Sequence, residues 1–370
     1  MFVVVGVYLG MQWYIASWAL RYFPGLPVSA TAARLGALAV ALSFPLSIYL
    51  LRVNENPVTE AMARASFVWA GVSLIAVSWA FFGDCALLAA RAAGAGERVR
   101  PMVAWTVPGV VVVLSCVALW NASRMPRVKD VVVPVRGLPA ALDGFTIAHL
   151  SDLHLGVTVS TRKWERIVAL VNGLSPDLVV LNGDFIDAGL RERARVESAC
   201  MALKARLGKV AVLGNHEVYG GIKEASGCMA RCGARLLRNE VVELPGGLQV
   251  AGVDDVIAMG VSREEVAALL GRLDQAKPSI YVSHQPLYFD VAAEYGVSLM
   301  MSGHTHQGQI FPFGGFVRLM QKYVYGMYRL GGSLLYVSSG TGEWGPPMRL
   351  FTRSEVVRFV LRRASEPAVR

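Results

Sequence analysis

Gly303-His304-Thr305-His306 closes the apolar run Val297–Met301, and two histidines one residue apart at the end of a buried strand are rarely there for packing. Four further short elements have the same build. Ser151-Asp152-Leu153-His154 follows Phe145–Leu150, and Asn182-Gly183-Asp184 follows Leu178–Leu181. Gly214-Asn215-His216-Glu217 follows Val210–Leu213, and Ser283-His284-Gln285-Pro286 follows Ile280–Val282. Five of the six histidines lie inside these elements; His149 alternates with Ile147 inside a strand and reads as structural.

Further strands are expected at Leu248–Val253, Leu334–Ser338 and Val356–Leu361, with helices at Arg162–Leu174, Arg191–Leu207 and Ser262–Leu273. Ser262 with Glu265 has the form of a capping box. Alternating strands and helices predict a layered α/β domain. In open α/β sheets the carboxyl ends of strands are where ligands gather. Asp, Asn and imidazole together suit divalent Mn²⁺, Fe or Zn²⁺. The absence of thiolates from the five elements disfavours a closed structural zinc site. Asp184 is placed to bridge two ions, which can clamp an in-line displacement at phosphorus.

The order Asp-x-His, Gly-Asp, Gly-Asn-His-Glu, a lone His and Gly-His-Thr-His resembles the calcineurin-like metallophosphoesterase superfamily. The resemblance covers roughly residues 140–362. Gly252-Val253-Asp254-Asp255, the run from Gly303 to Pro312 and the run from Ser339 to Arg349 are similar to a bacterial branch that carries N-terminal membrane segments. Many members have Gly where this chain has Gln307, a change that narrows the mouth of the site without removing a ligand. The resemblance implies a four-layer α/β/β/α sandwich. It also implies that Asp152, His154 and His306 hold one metal, that Asn215, His284 and His304 hold the other, and that Asp184 bridges them. His216 would stand by the leaving group as general acid or transition-state stabiliser, and a metal-bridging hydroxide would be the nucleophile. Monoesters, diesters and pyrophosphates are all used by such sites. A non-catalytic scaffold or sensor on the same fold would have lost ligands, and none is missing here.

Outward from this domain the composition changes. Of 370 residues 54% are hydrophobic and 17% charged, below the roughly 25% of a soluble domain. The deficit is local: 11 of residues 1–120 are charged, against 52 of the remaining 250. Four uncharged runs, 2–20, 35–51, 65–83 and 102–120, each have the length of a membrane-spanning helix. They predict a transmembrane region over 1–122, a linker over 123–139, the catalytic domain over 140–362 and a tail over 363–370. Asp84 is expected to mark the interfacial end of the third span.

The net charge of +9 comes without a long Lys/Arg run, so a membrane surface or an anionic substrate explains it better than nucleic acid. Five cations fall on each side of a four-span arrangement, so the positive-inside rule assigns no orientation. Three cysteines in the soluble part leave one unpaired in any disulfide scheme. This leans the catalytic domain toward the cytoplasmic face of a cell (inner) membrane. Cys228 and Cys232 form a CxxxC with no second pair to complete a metal site.

Residues 311–330 are rich in aromatics and Met, with Arg318, Lys322 and Arg329 interleaved. The segment reads either as an internally packed loop and helix or as an acyl-chain groove or bilayer-dipping surface beside the metals. On the second reading Arg318, Lys322 and Tyr323 contact substrate, and the substrate is a phospholipid or lipid-linked nucleotide.

Overall fold

The computed structural model describes residues 2–187 and 190–364, with side chains from residue 5 onward. The chain divides into two compact units.

One unit comprises Met1–Arg124 together with Ile310–Phe313 and Gly345–Phe351. It is built on four helices, α1 (Phe2–Tyr22), α2 (Ala30–Val53), α3 (Pro57–Ala92) and α4 (Gly96–Ser123). Among the described residues α2, α3 and α4 are long and apolar enough to cross a membrane. The side chains of the first residues of the 2–20 segment lie outside the description. All four helices outrun the uncharged segments, because a charge ends an apolar run without ending a helix. Caps set the ends instead. Ser29 accepts from the amide of Ala32, and Asn56 forms a capping box ahead of Pro57 at the first turn of α3.

Asp84 therefore lies inside α3 and does not end it. It accepts hydrogen bonds from Tyr14 Oη (2.8 Å), Tyr22 Oη (2.9 Å) and Arg21 Nη2 (2.8 Å) of α1, which fixes it as a tie between the two helices. A Cβ on Gly83 would stand 2.8 Å from Val103, so glycine lets α3 and α4 approach. Ile75 and Ala118 of the helices share a buried cluster with Ile310, Met348 and Leu350, and Arg349 N donates to Ala118 O (2.9 Å).

The other unit holds two six-stranded sheets. The first has the order β1 (Arg127–Val135), β12 (Glu355–Arg363), β2 (Thr146–Ser151), β3 (Leu178–Asn182), β4 (Lys209–Val212), β5 (Ala234–Leu236). The second has the order β10 (Gly326–Leu330), β11 (Ser333–Val337), β9 (Leu299–Ser302), β8 (Ser279–Val282), β7 (Gln249–Gly252), β6 (Glu240–Glu243). Strands β2 to β5 run parallel in the first sheet, and β7, β8, β9 and β11 run parallel in the second.

One apolar core lies between the sheets, with Ile147, Val180 and Val210 on one side and Val250, Ile280 and Met301 on the other. The outer face of the first sheet is covered by α5 (Thr161–Gly173), α6 (Arg193–Met201) and α8 (Ile222–Arg231), through Trp164, Ile167, Val196 and Cys228. The outer face of the second is covered by α9 (Arg263–Leu270) and α10 (Phe289–Glu294), through Val266, Leu270 and Phe289. These are the four expected layers. Parallel strands buried on both faces read as short continuous apolar runs, which is why all eight expected strands are present.

Two expectations are corrected, the linker and the thiol pairing. The stretch 123–139 is no linker: β1 occupies most of it and pairs in parallel with β12 along nine residues. The segment 311–330 does hold a helix, α11 (Phe313–Met320), and it continues into β10. Cys200 and Cys232 form a disulfide with Cα atoms 5.0 Å apart, leaving Cys228 buried and free, which removes the support for a reducing compartment. Strand β12 runs to Arg363, and residues 365–370 of the expected tail lie outside the described residues.

Candidate metal centre

Five strands, β2, β3, β4, β8 and β9, end at one edge of the two sheets, and the residues just past each end turn inward. Strand register sets where these turns fall; their backbone conformation aims the side chains. Asp152, His154, Asp184, His304 and His306 all adopt positive φ, between 47° and 69°. Such conformations cost a non-glycine residue free energy and persist where the surroundings over-determine them, commonly at functional sites. Gly183, at φ 70°, could not carry a side chain, since its Cβ would meet His284 Nδ1 at 2.5 Å.

Among the described residues three groups form, each with ligand atoms close enough to hold an ion: Asp152, His154 and His306; His154, Asp184 and His216; Asp184, His284 and His304. They overlap into one cluster. His154 Nε2 lies 3.1 Å from His306 Nε2, His306 Nε2 lies 3.5 Å from Asp152 Oδ1, and His284 Nε2 lies 3.2 Å from Asp184 Oδ2. Asn215 and His216 open α7 (Asn215–Gly220). Asp152 Oδ2 and Asn215 Oδ1 are buried without a hydrogen-bond partner. A buried carboxylate oxygen and amide oxygen left unbonded cost free energy unless a cation takes them, so this donor set fits divalent metal.

Two of the outer ring nitrogens are held by neighbours. His284 Nδ1 donates to Asn182 O (2.9 Å), and His154 Nδ1 lies 3.0 Å from Asp187 Oδ2. Each bond leaves Nε2 turned into the cluster, as an outer partner of a metal-binding imidazole does. His304 N and His216 N donate to Asp152 Oδ1 and Asp184 Oδ1, both at 2.9 Å. Burial works against ionising Asp184, yet the imidazoles of His284, His154 and His216 hold it well below the usual carboxylate range. Burial also opposes charging His216, but Asp187 beside it and the negative charges of Asp184 and Glu217 raise it to about 9. His149, as expected, belongs to the packing. Its Nε2 meets Asn182 Nδ2 at 3.0 Å, and burial, then the charge of His284, push it down to about 3.

Two residues that carry the site escaped sequence reasoning. Asp187 bonds both His154 and His216; its signal was the second Asp of Gly183-Asp184-Phe185-Ile186-Asp187. Glu217, quoted above without a role, accepts from the amides of Gly214 and Asp184 through one oxygen and of Phe185 and Ile186 through the other, at 2.7–3.2 Å. Asp255 braces Gln285, next to His284, at 2.8 and 3.0 Å. The residues expected to bind substrate stand apart. Tyr323 packs edge-on against Phe289 and Tyr328, Lys322 lies 5.2 Å over the Tyr323 ring, and Arg318 is exposed. Among the described residues none of the three hydrogen-bonds or pairs with the cluster.

Residues 145–308 match the family model of the calcineurin-like phosphoesterases. A zebrafish (Danio rerio) protein named as a transmembrane protein with metallophosphoesterase domain is 35% identical over 82% of this chain and 74% of its own length. The chain belongs to the calcineurin-like phosphoesterase family. A bovine (Bos taurus) protein of the same name is 34% identical over 75% of this chain and 66% of its own. An uncharacterised metallophosphoesterase of Campylobacter jejuni is 37% identical over 64% of this chain and 63% of its own. Vertebrate and bacterial relatives together make the resemblance wider than the bacterial branch expected. This phosphoesterase is thus a metal-dependent hydrolase, and with its apolar helices and relatives named as transmembrane proteins it is a membrane protein.

Proposed function

We propose that this phosphoesterase is a multi-pass protein of the cell (inner) membrane that hydrolyses a phosphomonoester, phosphodiester or pyrophosphate presented at that membrane, lipid-linked substrates among them. Residues 1–122 anchor it through four helices. Asp152, His154 and His306 hold one divalent ion, and Asn215, His284 and His304 hold a second. Asp184 serves both. When bound, such ions supply Lewis-acid stabilisation of the phosphoryl oxygens and a water acidic enough to attack at neutral pH.

The chain's own residues do the rest. His216 is partly open to solvent, and the Asp187 carboxylate beside it favours its charged form, so its Nε2 can give a proton to the departing oxygen. Asp187 holds its Nδ1 and so fixes which nitrogen faces outward.

The observation that supports this reading best is the convergence of ligand-type side chains from five strand ends on two buried, unbonded oxygens, Asp152 Oδ2 and Asn215 Oδ1. The test is hydrolysis of p-nitrophenyl phosphate, bis-p-nitrophenyl phosphate and a lipid pyrophosphate by the full-length protein loaded with Mn²⁺, Fe²⁺ or Zn²⁺. Asp184→Asn is expected to abolish turnover and metal retention together. Equal activity of wild type and variant over the whole panel would sink the proposal.

A further inference from the structure

Helix α11 turns its apolar side away from the protein. Helical spacing puts Phe313, Phe316, Val317, Leu319 and Met320 on one arc, and Gly314, Gly315 and Arg318 on the other. The side against the fold is a glycine. A Cβ on Gly314 would stand 3.2 Å from the carbonyl oxygen of Gln307, the residue after His306. None of the helix is buried, and Leu319 and Met320 are 85% and 84% exposed. A soluble surface helix shows the reverse pattern, so this arc calls for an apolar neighbour.

Two observations identify that neighbour. Ile310–Phe313, the residues leading into α11, belong to the helical unit, where Ile310 packs with Ile75 of α3 and Ala118 of α4. The helix thus starts where the chain leaves the unit that carries the membrane spans. The charge pattern agrees: from Glu294 to Glu343 the sequence has no acidic residue between them, while Arg318, Lys322 and Arg329 fall inside. An apolar arc flanked by uncompensated cations matches the surface of an anionic bilayer.

We propose that α11 lies in the headgroup layer of the membrane that the helical unit spans, with Leu319 and Met320 entering the acyl boundary and Arg318 and Lys322 at lipid phosphates. Its glycine side rests on the loop that carries His306, so lipid contact and metal site share one short segment. This placement rests on the membrane reading of α2–α4 and is read out without any enzymatic assay.

The experiment uses the full-length chain with the exposed thiols Cys85 and Cys116 replaced by Ala. A nitroxide is placed at Leu319→Cys, at Met320→Cys or, as control, at Lys204→Cys on an exposed loop. In vesicles of mixed phosphatidylcholine and phosphatidylglycerol, collision with oxygen relative to a water-soluble nickel chelate is expected to be severalfold higher at 319 and 320 than at 204. The excess should shrink when Arg318→Gln and Lys322→Gln are added. A ratio at 319 and 320 equal to that at 204 would overturn the proposal. So would exclusion of both reagents, which would mean that a protein surface, such as a second copy, covers the helix.

Discussion

Nδ1 of His216 donates to Oδ1 of Asp187, while the other oxygen of that carboxylate lies 3.0 Å from Nδ1 of His154. One side chain thus orients both a ligand and the proton donor. Asp187→Asn should therefore reduce turnover about 10- to 100-fold and weaken retention of the ion at His154, the usual range for an outer partner of a metal ligand. His216→Ala should reduce turnover while metal content stays at the wild-type level. Because the two residues act as a pair, the double variant should be little worse than the poorer single one. Steady-state rates with elemental analysis of the purified proteins check this. Full additivity of the two losses would refute the pairing.

Glu217 makes a different kind of demand. Its carboxylate is the acceptor for four amides of the loops that carry Asp184 and Asn215. Glu217→Gln keeps the volume but turns an N–H₂ toward two of those amides. Each stranded buried donor costs about 1–3 kcal/mol, so a loss of roughly 3 kcal/mol in stability is expected. The Asp184 loop should loosen with it, and metal affinity should fall more than for a surface change of the same charge. A Tm and metal affinity unchanged from wild type would contradict the assignment.

The readable part of the molecule was the part whose physics is local. Leu178–Asn182 is apolar on both faces, ends at a glycine and is followed at once by its ligand, so strand and site could be read together. β1 could not be read in this way. Arg127, Lys129 and Asp130 give it a solvated edge pattern, and its partner β12 lies more than two hundred residues away. Asp187 has no local pattern to mark it, because what distinguishes it is the approach of His154 and His216 from the ends of other strands. α3 was read short because Arg64 and Asp84 interrupt its apolar run, though Tyr14, Tyr22 and Arg21 give Asp84 partners within the helix bundle. The division of the phosphoesterase sequence that leaves Ile310–Phe313 and Gly345–Phe351 with the helical unit depends on side-chain packing against α3 and α4, which no periodicity records.

Acid stability offers a test away from the metal cluster. Asp177 accepts from Thr146 N (2.7 Å), Thr146 Oγ1 (3.1 Å) and Arg206 Nε (2.6 Å). Burial works to raise its pKa, but these partners hold it below the ordinary carboxylate value. A group depressed in the folded state stabilises above its unfolded pKa, about 3.9, and stops doing so as pH falls through the folded value. Asp177→Asn should thus cost about 1 kcal/mol at pH 7. The gap in Tm between variant and wild type should close on acidification below that unfolded value. A gap that stays constant from neutral to acid pH would show that the charge is not what stabilises.

The Cys200–Cys232 disulfide offers a test of which side of the membrane the catalytic unit faces. Cys200 and Cys232 join α6 to the end of α8 across 32 residues, and such a bond persists in oxidising compartments and is kept reduced in most cytosols. If it forms in the cell, the catalytic unit faces away from the cytoplasm, against the lean of the thiol count. Protein denatured from acid-trapped cells should then take up maleimide at Cys85, Cys116 and Cys228 before reduction, and at all five cysteines after it. Protease added to sealed cells should cut the exposed stretch 191–195, ahead of and entering α6. The two measurements must agree. Reaction of all five thiols without reduction, with that stretch protected from external protease, would place the metal centre in the cytoplasm and limit its substrates to phosphoesters reached from the inner leaflet.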